Sequence, residues 1–194
     1  TKKESAGSEG ISADIDEVFG MVAPIEMRQE INGQRKEKYL RRRSPSEILQ
    51  SGVSSGCGDY AYVFYDQMKS KGYQVKFIDS AEVSRSSFKS FFSGHTFVAV
   101  FDEARNKWCL CDPTMQKIVD ETWDISSQYI LSSGYASPYA VGYIGSIEEY
   151  SERVSSEYDL REFYRETLLN LHETEVEFYL SRLDREFILD VTVD

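Results

Sequence analysis

The pattern of hydrophobic and polar positions along this chain changes from a helical to a strand period near residue 72. Before that point, one helical stripe is formed by Cys57, Ala61, Phe64 and Met68, which lie at positions i, i+4, i+7 and i+11. Ser54 or Ser55 is the expected N-cap of this helix, and Gly72 is its expected end. The pattern predicts a core-facing helix with Cys57 at its N-terminal end.

Alternating positions after residue 72 predict a set of strands. These strands are 74–79, 95–102, 107–112, 116–119 and 139–144. The second and third have the spacing of a hairpin, and a loop with an even number of residues would place His95 opposite Asp112 and Phe97 opposite Leu110. Directly opposed residues share one face of a sheet, whereas an odd loop or a bulge would separate them. An even loop therefore predicts that His95 and Asp112 project together.

Helix signals flank the predicted strands on both sides. Residues 15–27 carry the apolar positions of a helix that ends near Pro24, and Asn32-Gly33 marks a turn. Ser44-Pro45-Ser46-Glu47 combines a capping box with proline at the first helical position, so a short helix is predicted to start there. From residue 146 onward the apolar positions again follow a helical period.

Together these elements predict an α+β fold in which the helix bearing Cys57 packs on an antiparallel sheet. A chain of 194 residues is long enough to bury a core of its own. We divide it into a disordered tail at residues 1–13, a core with N-terminal helices at residues 14–145, and a helical extension at residues 146–194. The extension has too few apolar stripes for a separate core, so we expect it to pack on the rest of the domain.

The charge of the chain narrows the classes of partner. Its formal net charge is −11 and its pI is about 4.8, so phosphate backbones and anionic lipid surfaces would repel it. No apolar run approaches the ~18 residues of a membrane span, and we expect neither a nucleic-acid partner nor membrane insertion. The basic clusters at residues 35–38 and 41–43 are expected to form a solvated face rather than a binding patch. The compartment (cytoplasmic, or exported after removal of a targeting segment) and the oligomeric state stay open.

The three cysteines form an odd set. Cys109 and Cys111 are expected to point to opposite faces of one strand, which disfavours a disulfide between them, so we expect free thiols. The same expectation argues against a zinc site built from these two residues and His95, since no further ligand lies near enough in sequence to complete a tetrahedron. We therefore expect no metal and no other cofactor.

Cys57, His95 and Asp112 have the chemistry of a thiol hydrolase. A helix N-terminus and a nearby imidazolium both stabilise a thiolate, so the pKa of Cys57 is expected to be lowered. His95 would take the thiol proton and later return it to the leaving group, while Asp112 would orient the imidazole. Taken singly, the three could be a small core residue, an interior histidine and a strand-ending Asp-Pro. Their order, their places at the ends of elements and their predicted proximity favour a catalytic triad.

Three further residues are candidates for contact with a substrate. The backbone amide of Cys57 is one expected donor to an oxyanion, and Gln50, upstream of the nucleophile, is the candidate second donor. Gly56 and Gly58 flank the nucleophile and would let a substrate amide approach closely.

Three motifs resemble the bacterial and archaeal branch of the transglutaminase-like superfamily. They are Ser55-Gly56-Cys57-Gly58-Asp59-Tyr60-Ala61, Gly94-His95-Thr96-Phe97-Val98-Ala99-Val100 and Trp108-Cys109-Leu110-Cys111-Asp112-Pro113-Thr114. The resemblance covers about residues 44–120 and implies a papain-like α+β core with Cys57, His95 and Asp112 as its triad. It implies acyl transfer through a thioester on an amide of a protein or peptide, either a peptide bond or a Gln/Asn carboxamide.

The chain departs from the cross-linking members of that superfamily. The animal enzymes carry Trp directly after the nucleophile, where this chain has Gly58, and they carry an upstream Trp, whereas none precedes Cys57 here. The resemblance therefore favours a cysteine hydrolase (protease, amidase or deamidase) over cross-linking acyl transfer. The alternative is a protein- or peptide-binding module that keeps the fold without turnover.

Overall fold

A six-stranded sheet and one buried helix form the centre of the structure, a computed structural model that describes residues 8–82, 94–131 and 139–153. The helices are α1 Ser8–Val22, α2 Pro45–Ser51, α3 Cys57–Ser70 and α4 Ile147–Arg153, with a 3-10 helix at Lys36–Lys38. The strands are β1 Glu26–Met27, β2 Glu30–Ile31, β3 Gln34–Arg35, β4 Val53–Ser54, β5 Val75–Glu82, β6 Gly94–Asp102, β7 Lys107–Asp112, β8 Lys117–Trp123, β9 Tyr129–Ile130 and β10 Tyr139–Gly145.

The main sheet has the order β8-β7-β6-β5-β10-β9, and all its neighbouring strands are antiparallel. Helix α3 packs on this sheet against β5 and β6. Helix α1 packs against α3, and the rings of Phe19 and Phe64 stack with their centroids 5.0 Å apart. The predicted stripe of Ala61, Phe64 and Met68 is fully buried. The predicted α+β fold, with the Cys-bearing helix on an antiparallel sheet, is thus confirmed.

Strand β6 buries both of its faces. Val98 and Val100 pack in the cluster that includes α1 and α3, whereas Phe97 and Ala99 pack in a second cluster with residues of β5, β7 and β8. Successive side chains of a strand point to opposite faces, so a strand covered on both sides is a continuous apolar run. Each fully buried large side chain contributes about 1.5–3 kcal/mol to folding. The strand that begins beside His95 is therefore held firmly in place.

The register of the β6–β7 hairpin differs from the predicted one by two residues. Ala99 lies opposite Leu110, where Phe97 was predicted, and Asp102 lies opposite Lys107. The loop between the last pair holds four residues, an even number as required. A shift of two residues leaves every side chain on its predicted face. His95 and Asp112 therefore share a face, as diagonal rather than direct neighbours.

The expectation about the two strand cysteines is wrong. Cys109 and Cys111 lie opposite Val100 and Val98, and both are buried in the cluster beneath α3. Residues two apart on a strand point to the same face of the sheet. The expectation that Cys109 and Cys111 point to opposite faces was therefore inconsistent with strand geometry. Cys57, Cys109 and Cys111 are all free thiols, as expected, although the argument for it fails.

The N-terminal helix is longer than predicted. Helix α1 begins at Ser8, so residues 8–13, which we assigned to a disordered tail, are helical, and Ile11 is buried against the core. The expected end near Pro24 is confirmed, since α1 stops at Val22. Short polar residues between the apolar ones obscured the first turns of this helix in the sequence.

The predicted start of α2 and the predicted turn at Asn32-Gly33 are confirmed, whereas the predicted N-cap of α3 is wrong. The capping box of Ser44 and Glu47 is present at the start of α2, and Asn32-Gly33 forms the turn of the β2–β3 hairpin with φ of 51° and 70°. The N-cap of α3 is Gly56, not Ser54 or Ser55, and its helix start has no side-chain cap. The two-residue strand β9 was not predicted.

Helix α4 marks the beginning of the predicted C-terminal extension. It carries Tyr150, which is fully buried, into the cluster between α3 and the sheet. The remainder of that extension, residues 154–194, lies outside the described residues. Within the parts of the chain that the structure describes, no helix has the length and apolar character to cross a membrane.

Candidate active site

Cys57 lies at the first position of α3, where a loop turns into the helix. Gly56 is the N-cap and contributes no side chain to the helix start. The loop is held instead by the buried Asp59, whose Oδ2 accepts hydrogen bonds from the backbone N–H of Ser55 at 2.7 Å and from its hydroxyl at 2.8 Å. Arg43 donates to the same oxygen. The carboxylate in the first helical turn thus fixes the approach to Cys57 and leaves the helix-start amides uncapped.

His95, at the second position of β6, is held by Asp112 at the end of β7. The distance from His95 Nε2 to Asp112 Oδ2 is 2.9 Å. Asp112 is fully buried, and its Oδ1 accepts a hydrogen bond from the backbone N–H of Met115 at 3.0 Å. The imidazole also packs edge-on against Phe97, with centroids 4.9 Å apart, and against Tyr139 at 5.7 Å. Both its hydrogen bond and its packing fix the orientation of the ring.

The Cys57 thiol and the His95 imidazole interact, and each shifts the pKa of the other. Burial opposes a charged imidazole, but the hydrogen bonds to Asp112 and Cys57 outweigh it and raise the pKa of His95 to about 10. Burial likewise opposes a thiolate, but His95 and the charge of Arg41 together lower the pKa of Cys57. Since Nε2 is bound to Asp112, Nδ1 is the ring nitrogen left for the thiol. The contact favours a thiolate beside an imidazolium.

The structure thus brings together the three residues that the sequence singled out in separate motifs. It places the other three candidates differently. Gln50 lies in α2 with an exposed side chain, a position that does not preorganise an amide toward an oxyanion. Its role stays a prediction.

Gly56 and Gly58 lie close to side chains of the 40–41 segment. A Cβ atom built on Gly56 would lie 3.3 Å from Leu40 Cδ2, and one on Gly58 would lie 3.2 Å from Arg41 Cγ. These contacts are tight, so a larger residue at either position would push against the 40–41 segment. Close approach of a substrate to these glycines stays a prediction, whereas the close approach of Leu40 and Arg41 is observed.

Two arginines near the site were misassigned from the sequence. Arg41 and Arg43 were expected in a solvated face, yet their side chains are only 11% and 10% exposed and bind the buried Asp79 and Asp59. Asp59 and Asp79 were the features of the sequence that could have indicated this, since an aspartate in a buried strand or helix start needs a cationic or hydrogen-bonding partner. The pattern of the arginines alone could not distinguish a solvated from a buried charge, because the partners lie 38 and 16 residues away.

No metal centre is found in the part of the chain that the structure describes, where no three His, Cys, Asp or Glu side chains are grouped to hold an ion. Cys109 and Cys111 lie in the cluster beneath α3, whereas His95 is engaged with Asp112 and Cys57. These three residues therefore do not combine into the zinc site that was considered from the sequence.

Comparison of the sequence with protein-family models gives no match, and comparison with curated proteins gives none. Among solved structures, the chain is similar to Legionella pneumophila LapG, with a TM-score of 0.50, 13% identity and 80% of each chain covered. Two further structures of that protein are matched, the EGTA-treated form (TM-score 0.48, 12% identity, 83% of this chain and 81% of that one) and the calcium-bound form (0.45, 13%, 86% and 83%). The fold of this chain, a helix headed by Cys57 on an antiparallel curled sheet, matches the fold of LapG.

Proposed function

We propose that this protein is a cysteine hydrolase that cleaves an amide bond of a protein or peptide through a thioester on Cys57. The observation that carries the proposal is the hydrogen bond between His95 and the buried Asp112, together with the electrostatic interaction of the same imidazole with Cys57. A nucleophile, a base within hydrogen-bond reach and a third group that orients the base are the parts that covalent acyl transfer needs. Their agreement with three separate sequence motifs adds support.

The proposed reaction begins with the thiolate of Cys57 and the imidazolium of His95. The sulfur attacks the carbonyl carbon of the amide, and the carbonyl π electrons move to oxygen to form a tetrahedral oxyanion. In this proposal the backbone amides at the start of α3, which no side chain caps, donate to that oxygen. As the oxyanion collapses, the C–N bond breaks, and the imidazolium gives its proton to the leaving nitrogen.

The thioester is then hydrolysed by the reverse use of the same groups. The neutral imidazole takes a proton from water, and the resulting hydroxide attacks the thioester carbonyl. Collapse of the second oxyanion breaks the C–S bond, releases the carboxylic acid and restores the thiolate–imidazolium pair. Asp112 keeps the imidazole oriented throughout and is not itself protonated.

Peptide-bond hydrolysis is the form of this reaction that we favour. The structural likeness is to LapG, a bacterial transglutaminase-like cysteine protease. At 13% identity the likeness shows the fold alone, so the preference for hydrolysis over cross-linking rests on Gly58, which stands where the cross-linking enzymes carry Trp. Hydrolysis of a Gln or Asn carboxamide uses the same steps and releases ammonia in place of an amine.

The experiment is a survey of amide substrates with a single-residue control. Internally quenched peptides report peptide-bond cleavage, and ammonia release from Gln- and Asn-containing peptides reports deamidation. Cys57→Ala should lower the turnover of any substrate found by a factor on the order of 10⁶, because it removes the nucleophile. Cys109→Ala, the same change at a buried cysteine, should leave turnover within about twofold of the unchanged protein. Full activity in Cys57→Ala would contradict the proposal, and binding of peptides without turnover would favour the binding module.

A further inference from the structure

Arg41 lies over the start of α3, against the residue that follows the nucleophile. Its Cγ and Nε atoms lie 3.2 and 3.5 Å from the position that a Cβ atom on Gly58 would occupy, and Gly58 is the residue after Cys57. The backbone of Arg41 has a φ of 55°, a left-handed conformation that non-glycine residues adopt at a cost in free energy. The fold thus holds an arginine in a strained conformation against the helix start.

A buried carboxylate anchors the far end of the Arg41 side chain. Arg41 Nη2 donates to Asp79 Oδ1 at 3.1 Å, and the backbone N–H of Ser80 donates to the same oxygen at 3.1 Å. Asp79 is fully buried in β5, and its Oδ2 accepts a hydrogen bond from the hydroxyl of Tyr150. The guanidinium carbon of Arg41 lies 5.5 Å from the centre of the Tyr150 ring. Asp79 and Tyr150 together hold the guanidinium between the sheet and α4.

The charge of Arg41 differs in kind from the other influences on the thiol. The other groups near the Cys57 thiol are the imidazole of His95, which is bound to Asp112, the hydroxyl of Thr96 and, more remotely, the phenol of Tyr139. The charge of His95 depends on pH and on the thiol itself, because the two groups share a proton. A guanidinium keeps its charge over the whole accessible pH range. A permanent cation at this place favours the thiolate whichever form His95 takes, and the carboxylate of Asp79, its ion-pair partner, offsets part of that effect.

We infer that Arg41 is a positioning residue that stabilises the thiolate of Cys57, and that Asp79 and Tyr150 keep it in place, so that helix α4 contributes to the reactivity of the nucleophile. The inference concerns the site of the proposed function and rests on it for its catalytic meaning. The contact of Arg41 with the helix start and its anchoring by a buried ion pair are the observations that support it.

The test measures the thiol and needs no substrate. The rate of alkylation of Cys57 by iodoacetamide is followed by mass spectrometry as a function of pH on the full chain, in the unchanged protein and in Arg41→Met, Arg41→Lys and Arg42→Met. Arg42 is the matched control, because it is the next residue, carries the same charge and is exposed. We expect Arg41→Met to move the midpoint of the profile upward by about one pH unit. We expect Arg41→Lys to move it less and Arg42→Met not to move it measurably. Equal midpoints in Arg41→Met and Arg42→Met would overturn the inference.

A second variant covers the case in which Arg41→Met does not fold, since that change leaves Asp79 buried without its ion pair. Arg41→Met/Asp79→Asn removes both charges, and a raised midpoint would again support the inference, whereas an unchanged one would overturn it. Tyr150→Phe tests the anchor, and we expect a smaller upward movement, with alkylation below the midpoint slowed by about twofold. An unchanged midpoint in Tyr150→Phe would overturn the part assigned to α4.

The outcomes separate this inference from the proposed function. A thiol that depends on Arg41 in a protein that hydrolyses no amide would refute the hydrolase and leave the role of Arg41 intact. Amide hydrolysis that requires Cys57, with an alkylation profile independent of Arg41, would support the hydrolase and refute the role of Arg41.

Discussion

Cys57 and Cys111 are chemically identical residues placed in opposite environments. Cys57 is partly exposed at an uncapped helix start beside His95 and Arg41, and its pKa is lowered. Cys111, the residue before Asp112, is fully buried in a strand, and burial together with the neighbouring Cys109 raises its pKa well above the ordinary value. The fold makes one thiol a candidate nucleophile and the other a small apolar side chain.

This contrast shows that the position of a cysteine within its helix or strand determines the chemistry of its thiol here. At the start of α3 no side chain caps the backbone amides, and a cationic side chain lies near, both of which favour negative charge. In β7, Cys111 is paired between Val98 of β6 and Ile118 of β8, and its side chain is buried in the cluster that also holds Cys109. Each of the following predictions tests one side of this contrast.

The largest expected effect is a loss of turnover on substitution of Asp112, which follows Cys111 in the chain and binds His95 beside Cys57. Asp112→Asn keeps the size of the side chain but removes the charge that orients and stabilises the imidazolium of His95. We expect kcat on a confirmed substrate to fall by about 10⁴-fold, with residual activity above that of Cys57→Ala. Steady-state kinetics on the purified variants measure the difference.

The matched control for that change is Asp120→Asn. Asp120 is an exposed aspartate of β8, next to β7 in the sheet, and its substitution should leave kcat within about twofold. If Asp112→Asn were as active as Asp120→Asn, the orienting role of Asp112 would be wrong.

The candidate site was predictable from the sequence because its three members lie at the ends of elements whose patterns are clear. Cys57 begins a helix with a regular apolar stripe. His95 and Asp112 lie on a hairpin whose predicted register differs from the observed one by two residues. An error of two residues does not change the face of a strand, so the prediction of proximity survived it.

The electrostatic surroundings of the site could not be predicted in the same way. The Arg41 side chain is largely shielded from solvent because Asp79, 38 residues along the chain, binds it in the folded protein. A periodicity argument covers one element at a time and cannot reveal such a pair. The wrong expectation for Cys109 and Cys111 has a different origin, since the two-residue period of β7 was sufficient to place them on one face.

The next effect in size is the difference in alkylation rate between the two thiols. The thiolate is the reactive form, and Cys57 has the lowered pKa and the partial exposure that Cys111 lacks. At neutral pH we expect iodoacetamide to modify Cys57 roughly 100-fold faster than Cys111 in the folded protein. Its rate should rise with pH through a midpoint below the ordinary thiol value of 9.0.

Peptide mapping by mass spectrometry assigns each modification to its cysteine, and the same protein in denaturant is the control. There the environments are lost, and the two rates should become equal within about threefold. Equal rates in the folded protein would remove the contrast between the two thiols and with it the main support for Cys57 as nucleophile.

The smallest expected effect is on the free energy of unfolding. Here substitution of Cys111 should matter more than substitution of Cys57, the reverse of their order in reactivity. Cys111→Ala removes a fully buried sulfur from the cluster beneath α3 and leaves a small cavity, so the free energy of unfolding should fall by about 1 kcal/mol. Cys57→Ala removes a partly exposed sulfur at a helix start, and we expect a loss of no more than about half of that. Urea denaturation followed by circular dichroism measures both, and Cys111→Ala should keep its turnover of a confirmed substrate within about twofold. A loss of turnover in Cys111→Ala that exceeds its loss of stability would show that the buried thiol takes part in the chemistry, and the division between a reactive and a structural cysteine would no longer hold.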